Sequence, residues 1–321
     1  MATVTASADS VAYSRPGIHV PENFAAVLAS GLDDVHERVM ERPSEGMQFL
    51  RSLTMKKRTH KFQAFYGLGT VSQNRDSEAL PYDEMGLGFD WELSTNTFRG
   101  AIKIEKQLVE DELYGVIADR QSKLVESERL SRELVIADVF NRCLGTSGAP
   151  FICEDGMYLI DSARPNAFKR AGTWSNLEAA SAITPTSIYT AQLAFAANTD
   201  ERGQLAPLKL THLIIRPTDE KAVWEILKSD LRPTDAQNAS NFQKGRFQYI
   251  VYNMLTSAVI LYADARSGFS AQSNELIFGD RISPEFETWT SDGGDVTHQR
   301  IRTRYGIGCG RPFVWRGGTV S

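Results

Sequence analysis

The stretch from Pro207 to Asp264 constrains the fold more than any other, because its hydrophobic pattern changes period repeatedly over a short span. It opens with an apolar, strand-like run, Leu208-Lys-Leu-Thr-His-Leu-Ile-Ile215, which stops at Arg216-Pro217. Residues Asp219 to Ser229 then place apolar side chains at helical spacing, which predicts a short amphipathic helix. A polar linker rich in Asn, Gln and Ser follows, and after it two apolar runs, Phe247–Tyr252 and Ala258–Asp264. Strand, helix, linker, strand, strand is the order of a mixed sheet with a crossover helix. No His, Cys or paired carboxylate stands at a strand end where a reaction would need it.

At 321 residues the chain predicts roughly two domains. Hydrophobic content of 42% with 23% charged residues is ordinary for a soluble globular protein. A net charge of -5 argues against a dedicated nucleic-acid binder, while leaving room for a local basic face. The three cysteines, Cys143, Cys153 and Cys309, make no CxxC pair, which predicts free thiols in a reducing compartment. The first residues lack a basic and then apolar leader, and no run approaches the ~20 apolar residues that span a bilayer.

Upstream, residues 1 to about 20 are rich in Ser, Thr and Ala and read as an arm. Phe24, Val27, Leu28, Leu32, Val35 and Val39 predict a helix from Pro21 to Glu41. From Lys61 to about Ile104 the pattern turns to period two. Phe62, Ala64, Tyr66 and Leu68 lie on the outgoing side, and Phe89, Trp91 and Leu93 on the return. This predicts a long two-stranded ribbon with a polar tip at Ser72–Glu78. A ribbon alone is marginal in water, and its aromatic residues predict that it lies against a neighbouring copy, through Phe65, Tyr66 and Trp91.

Residues 105–144 contain no proline and one glycine, Gly115, with apolar residues such as Leu124, Leu130, Leu134, Ala137 and Phe140 at helical steps. A helix is expected there, broken near Gly115 and long after it. A loop-rich stretch, 146–184, precedes a helix over Thr186–Asn198. The last clear element is a strand over Thr297–Gly310. Its even positions are Arg300, Arg302, Arg304, Gly306, Gly308 and Gly310, and Ile301, Thr303, Tyr305, Ile307 and Cys309 lie opposite. Bare glycines let another backbone approach. The arginine row needs anions. Solvent, carboxylates of a neighbouring copy and DNA phosphate all remain open, and the acidic chain favours the neighbour.

Motifs that could carry chemistry are weak. His19, His36, His60, His212 and His298 show no metal-ligand spacing. Glu110-Asp111-Glu112 reads as the acidic first turn of a helix rather than an acid–base pair. Gly67-Leu-Gly69 and Gly306-Ile-Gly-Cys-Gly310 lack the pattern of a phosphate loop, and Cys143 has no histidine nearby in sequence. No catalytic, cofactor-binding or metal residue is assigned, and no enzyme is expected.

Several collinear segments resemble the major capsid proteins of tailed bacteriophages, with the Hong Kong 97-type fold. They are Leu80-Pro-Tyr-Asp-Glu-Met-Gly86, Lys103-Ile-Glu-Lys-Gln-Leu-Val-Glu-Asp-Glu-Leu-Tyr-Gly115, Thr199-Asp-Glu-Arg-Gly203, Leu213-Ile-Ile-Arg-Pro217, Glu225-Ile-Leu-Lys-Ser229, Leu261-Tyr-Ala-Asp264 and Arg304-Tyr-Gly-Ile-Gly308. The likeness spans about residues 60 to 310. It implies an α+β chain with an N-terminal arm and short helix (1–59), an extended β-hairpin loop (60–104) and a peripheral domain carrying a long spine helix (105–184). An axial domain with a mixed β-sheet (185–294) follows, then a return strand of the peripheral domain with a C-terminal tail (295–321). It also implies pentamers and hexamers closing into an icosahedral shell around double-stranded DNA. Partners would be a scaffolding protein, a portal and a decoration protein, with no membrane, and the place of action the virion, assembled in the host cytoplasm. Only about sixty residues precede the ribbon, which points to a separate scaffold. The tip from Ser72 to Gly86 has no lysine, so a covalent crosslink between subunits is not carried over. A cellular nanocompartment shell of the same fold, and a soluble enzyme, are the rival readings.

Overall fold

The computed structural model describes residues 44–66, 71, 82–83, 86–107, 114–145, 153–166, 172–200, 203–206, 208–231, 240–266, 276–291 and 296–321, with backbone only for 66 and 114–118. The chain divides into two compact units. The larger holds residues 43–98, 129–283 and 303–321, and the smaller holds 1–42, 99–128 and 284–302. The expected helix over Pro21–Glu41 and the acidic run 110–112 lie outside the described residues.

In the larger unit, the 207–264 stretch folds in the order its periods dictate. Strand β7 (His212–Ile215) leads through a 3-10 turn at Pro217–Asp219 into helix α3 (Glu220–Lys228). Strands β8 (Gln248–Val251) and β9 (Val259–Ala263) complete the set. β7 pairs parallel with β8 and antiparallel with β9. The parallel pairing requires the α3 crossover. Arg216 forks its guanidinium onto Asp219, Nε to Oδ2 at 2.7 Å and Nη2 to Oδ1 at 3.0 Å, holding the turn that starts α3. At the other end, Asn241 of the polar linker donates from Nδ2 to the carbonyls of Ile226 (2.5 Å) and Ser229 (3.0 Å). It thereby satisfies acceptors that a helix end leaves open.

Helix α2 (Pro185–Ala196) starts with a capping box. Thr184 Oγ1 accepts from Ser187 N (3.1 Å) and Ser187 Oγ accepts from Thr184 N (3.0 Å), with proline in the first turn. Its Ile188, Ala191 and Phe195 join Val223, Ile226 and Leu227 of α3 and Leu213 and Ile215 of β7 in one buried cluster.

The fourth strand of this sheet was not expected. Residues after Gly310 read in sequence as a tail, yet β12 (Trp315–Thr319) pairs antiparallel with β9 along its whole length, giving the order β12-β9-β7-β8. Two glycines and an arginine mask the strand in the sequence. Packing requires the glycines: a Cβ on Gly317 would lie 2.9 Å from Leu261 Cδ2, and one on Gly318 2.9 Å from the Glu178 carbonyl. Trp315 is buried against Phe140 of the long helix α1 (Tyr114–Asn141), ring centroids 5.7 Å apart.

α1 has 28 residues and is therefore about 42 Å long. Lys106 and Gln107 are already helical, and the expected break near Gly115 adjoins residues 108–113, which lie outside the described residues; Glu105, expected to open the helix, ends strand β4 (Asn96–Glu105). In the larger unit Ile136, Ala137 and Phe140 of α1 meet Phe49, Tyr252 and Trp315 in the main core. Leu130 and Leu134, counted in sequence on its apolar face, are about half exposed. The helix end is tied down by Asn141, whose Oδ1 accepts from Thr256 N (2.8 Å) and Ser257 N (3.0 Å) while its Nδ2 donates to Met254 O (3.0 Å).

The second sheet has the order β1-β10-β11-β4, with β1 (Arg51–Thr54), β10 (Leu276–Thr290) and β11 (Val296–Cys309). Sequence reading assigned neither β1 nor β10; they pair in parallel from Arg51↔Ile277 to Thr54↔Asp280. Within the larger unit Phe98 and Phe278 stack on Tyr305 at 4.3 and 5.3 Å, and the Arg132 guanidinium lies 5.5 Å from the Tyr305 ring. The smaller unit buries Ile104, Leu124, Val125 and Ile301. Gly100 there leaves room for Leu124 and Ile301, which a Cβ would meet at 3.3 and 3.4 Å. Among the described residues no helix is long and apolar enough to cross a membrane.

Candidate assembly surfaces

The ribbon is built by β2 (Thr59–Tyr66) and β3 (Gly86–Ser94), antiparallel, with Phe62 opposite Trp91 and Phe65 opposite Leu87. Pairing stops at Ser94, and residues 96–105 belong to the other sheet. The register shifts between Gln63 and Phe65, and such a bulge bends and twists a strand. The Lys61 ammonium reaches Glu92 at 2.7 Å, and that hydrogen bond holds it above the usual lysine range. Both groups lie in solvent, so the pair supports register more than stability.

Two glycines of β11 anchor the root of the ribbon. A Cβ on Gly306 would lie 2.1 Å from the Ser94 carbonyl oxygen, and one on Gly308 2.5 Å from Trp91 Cζ3. Trp91 stacks on Phe62 (4.5 Å, 13° between planes), and both pack beside Met55, Leu93 and Ile277. This corrects the expectation for Trp91: it packs on its own chain, because bare glycine backbone gives its ring a seat there. With Trp91 against Gly308 and the Ser94 carbonyl against Gly306, the backbone there is covered by this chain's own groups. Toward the tip the picture reverses. Phe65 and Leu87, directly opposite each other, are 57% and 61% exposed, and Tyr82 is 92% exposed. The side chain of Tyr66 and the run Gly67–Gly69 lie outside the described residues.

The arginine face of β11 also departs from expectation. In the smaller unit Arg300 pairs with Glu287, and Arg302 Nη1 lies 3.8 Å from Glu285, both glutamates on β10. One step further His298 stacks on Trp289 at 5.2 Å, and Arg300 lies 5.6 Å from the same ring. The three pairs form a cross-strand ladder. Two of the three arginines, Arg300 and Arg302, thus find carboxylates on the neighbouring strand of their own chain. Sequence reading missed them because it recognised no strand over 276–290, so the alternation of Glu285 and Glu287 had no face to belong to. The pairs are half in solvent, so Arg302→Gln is expected to cost under about 1 kcal/mol. Scanning calorimetry of the purified variant should show a Tm within roughly 3 °C of the parent. A larger loss would mean that the face is buried against another partner.

A third surface lies beside α1 in the larger unit. A groove of about 530 Å³ runs between Leu134, Asp138 and Asn141 of α1, Ser94, Asn96 and Phe98, and Tyr305 to Ile307 of β11. Its one carboxylate, Asp138, is already paired with Arg142 at 2.7 Å. The groove thus offers apolar contact and neutral hydrogen-bonding groups, with no acid, base and nucleophile set together.

Among the described residues no three His, Cys, Asp or Glu side chains gather as a metal site. His60, His212 and His298 lie on β2, β7 and β11, in three separate sheets, and His19 and His36 fall outside the described residues. Burial pushes the Cys143 thiol up to about 12, so it is a packing residue and not a nucleophile at neutral pH.

A model of the phage capsid protein family matches residues 92–321, more than half of the chain. The chain belongs to the phage capsid protein family. No curated protein matches it. Among solved structures, the capsid of cyanophage P-SCSP1u superposes with a TM-score of 0.56 at 11% identity, over 85% of this chain and 86% of that one. Mycobacterium phage Patience gives 0.56 at 10%, over 96% and 90%. The capsid of a native GTA particle gives 0.55 at 9%, over 87% and 91%. At such identities these likenesses establish the fold alone. They agree with the α+β architecture expected from the sequence. This capsid protein is a structural protein.

Proposed function

We propose that this capsid protein is the major shell protein of a tailed phage, closing as pentamers and hexamers into an icosahedral shell around double-stranded DNA. It has no catalytic activity of its own, and scaffolding, portal and decoration proteins join it in the host cytoplasm. In this reading residues 1–59 are an arm, 60–104 an extended loop, 105–184 and 295–321 the peripheral domain and 185–294 the axial domain. Family membership supports the shell role. One observation carries the mechanism: the ribbon packs on its own chain at its root, yet presents an exposed apolar pair, Phe65 and Leu87, further out. A rooted lever with an apolar end serves a chain that must bind copies of itself, because an interface repeated around a closed ring generates a shell by symmetry.

The test is assembly. Expressed with a scaffold, the parent should sediment as megadalton particles. Deleting residues 71–83, or replacing Phe65 and Leu87 together with Glu, should leave a folded, soluble subunit and abolish closed particles. Burying two carboxylates without partners costs several kcal/mol per contact site, repeated at each interface. Normal particles from the Phe65→Glu/Leu87→Glu variant would show that the ribbon end touches nothing in the shell.

A further inference from the structure

We infer that Cys153 and Cys309 form a dithiol poised to close into a disulfide that locks the root of the ribbon to the core when the protein meets an oxidising medium. Only the timing rests on the capsid reading: a shell leaves the reducing cytoplasm for surroundings where disulfides persist. The pairing rests on backbone geometry. The two residues are Cα partners in an isolated parallel bridge. Bridged strands lie about 4.7–4.9 Å apart, inside the ~4.4–6.8 Å range of Cα separations that a disulfide spans. Residues paired in a ladder present their Cβ atoms to the same face, so closure calls for rotation of two side chains rather than movement of the chain. Neither sulfur is in a disulfide, and both lie in one buried cluster, 4% and 1% exposed.

What the bond would join explains why it matters. Cys309 follows Gly308, the seat of Trp91, so it sits at the ribbon's anchor. Cys153 opens the segment organised by the buried Arg164, whose Nη2 reaches the Cys153 sulfur at 3.7 Å. The link would therefore tie the ribbon root to the loop that the buried Arg164 holds together through Asp155, Tyr158 and Asn176. The third thiol, Cys143, lies in the same cluster but is bridged to neither, and its raised pKa makes it a slow competitor.

The oxidant is a small organic disulfide such as oxidised glutathione. One cysteine thiolate attacks it, forming a mixed disulfide and expelling one small thiolate. The second cysteine then attacks the protein sulfur of that mixed disulfide and expels the other. Two S–H bonds and one S–S bond are exchanged for one S–S bond and two small thiols, and two electrons pass to the oxidant.

The experiment uses the full chain, reduced and purified, incubated with oxidised glutathione. A parallel sample is refolded from denaturant in a glutathione buffer, so that burial of the thiols cannot hide the pair. Thiols titrated after denaturation should fall from three to one, and non-reducing peptide mapping should join the peptides holding 153 and 309. The oxidised protein should melt roughly 5–10 °C higher and return to the parent value with dithiothreitol. Cys143→Ser should behave as the parent, while Cys153→Ser and Cys309→Ser should show neither bond nor shift. Three thiols persisting in both samples, pairing through Cys143, or a bond without a rise in Tm would each overturn the inference. Particle formation is scored separately by sedimentation. Particles without the bond sink only the dithiol, and the bond without particles sinks only the shell reading.

Discussion

Replacing Arg164 with methionine is expected to lower the unfolding free energy by about 3–5 kcal/mol, because it leaves a buried carboxylate without its partner. Arg164 is fully buried. Its Nη1 donates to Asp155 Oδ2 at 2.6 Å, Nε donates to Asn176 Oδ1 at 3.2 Å, Nη2 donates to the Tyr158 carbonyl, and the guanidinium faces the Trp174 ring at 5.4 Å. Methionine replaces the stem but none of these bonds. Asn176 carries the damage onward, since its Nδ2 donates to the carbonyls of Leu159 (2.8 Å) and Trp315 (3.0 Å). Residues after it run beside β12, with Glu178 N donating to Gly317 O at 2.7 Å and Ser181 N to Thr319 O at 3.2 Å. The Tm should fall by roughly 10–15 °C, and amide exchange of residues 315–319 should accelerate more than that of β7. Adding Asp155→Asn should restore part of the loss, because the orphaned charge is gone while its Oδ1 can still accept from Met157 N. A single-variant loss below about 1 kcal/mol would mean that the knot is ornamental.

Gly306→Ala is expected to cost about 2–3 kcal/mol in the isolated subunit and to stop closed particles forming. The added methyl would stand 2.1 Å from the Ser94 carbonyl oxygen, and 3.3 Å from the Thr95 Cα. The obstacle is backbone, so no rotamer change relieves it, and the corner where the ribbon leaves the sheet must move. Gly308→Ala meets side chains instead, Trp91 Cζ3 at 2.5 Å and Leu93 Cδ1 at 2.9 Å. A second change, Trp91→Leu, should therefore rescue much of the stability of Gly308→Ala and none of that of Gly306→Ala. Denaturant midpoints of the four variants, with sedimentation of each after assembly, provide the check. Equal rescue of both glycine variants would show that the ribbon root yields as a whole and is not clamped at Gly306.

Some of the candidate surfaces could be read directly from residue order. The alternation of arginine with Ile301, Thr303 and Tyr305 gave β11 its two faces, and the structure buries Ile301, Thr303 and Tyr305 while leaving Arg300, Arg302 and Arg304 half-exposed. The run of glycines after Arg304 predicted a close approach, which Ser94 and Trp91 fulfil. What approaches could not be read. Trp91 offered an aromatic ring on a ribbon, equally suited to a neighbouring copy and to a glycine more than two hundred residues away.

What this sequence determined by itself was each element whose reason is local. The period of β7, the apolar stripe of α3, the Thr184 and Ser187 box that starts α2 and the helix that runs on from Gly115 each depend on residues within a few turns of one another. Only the tertiary structure decided the pairings. β1 earns its place through a parallel partner at 277–280, β12 through β9, and Arg164 through three residues that enclose its charge. The reason is physical: a strand with glycines or an arginine in a loop has no favourable state of its own. Its free energy turns favourable only when a distant segment supplies the missing hydrogen bonds and excludes water.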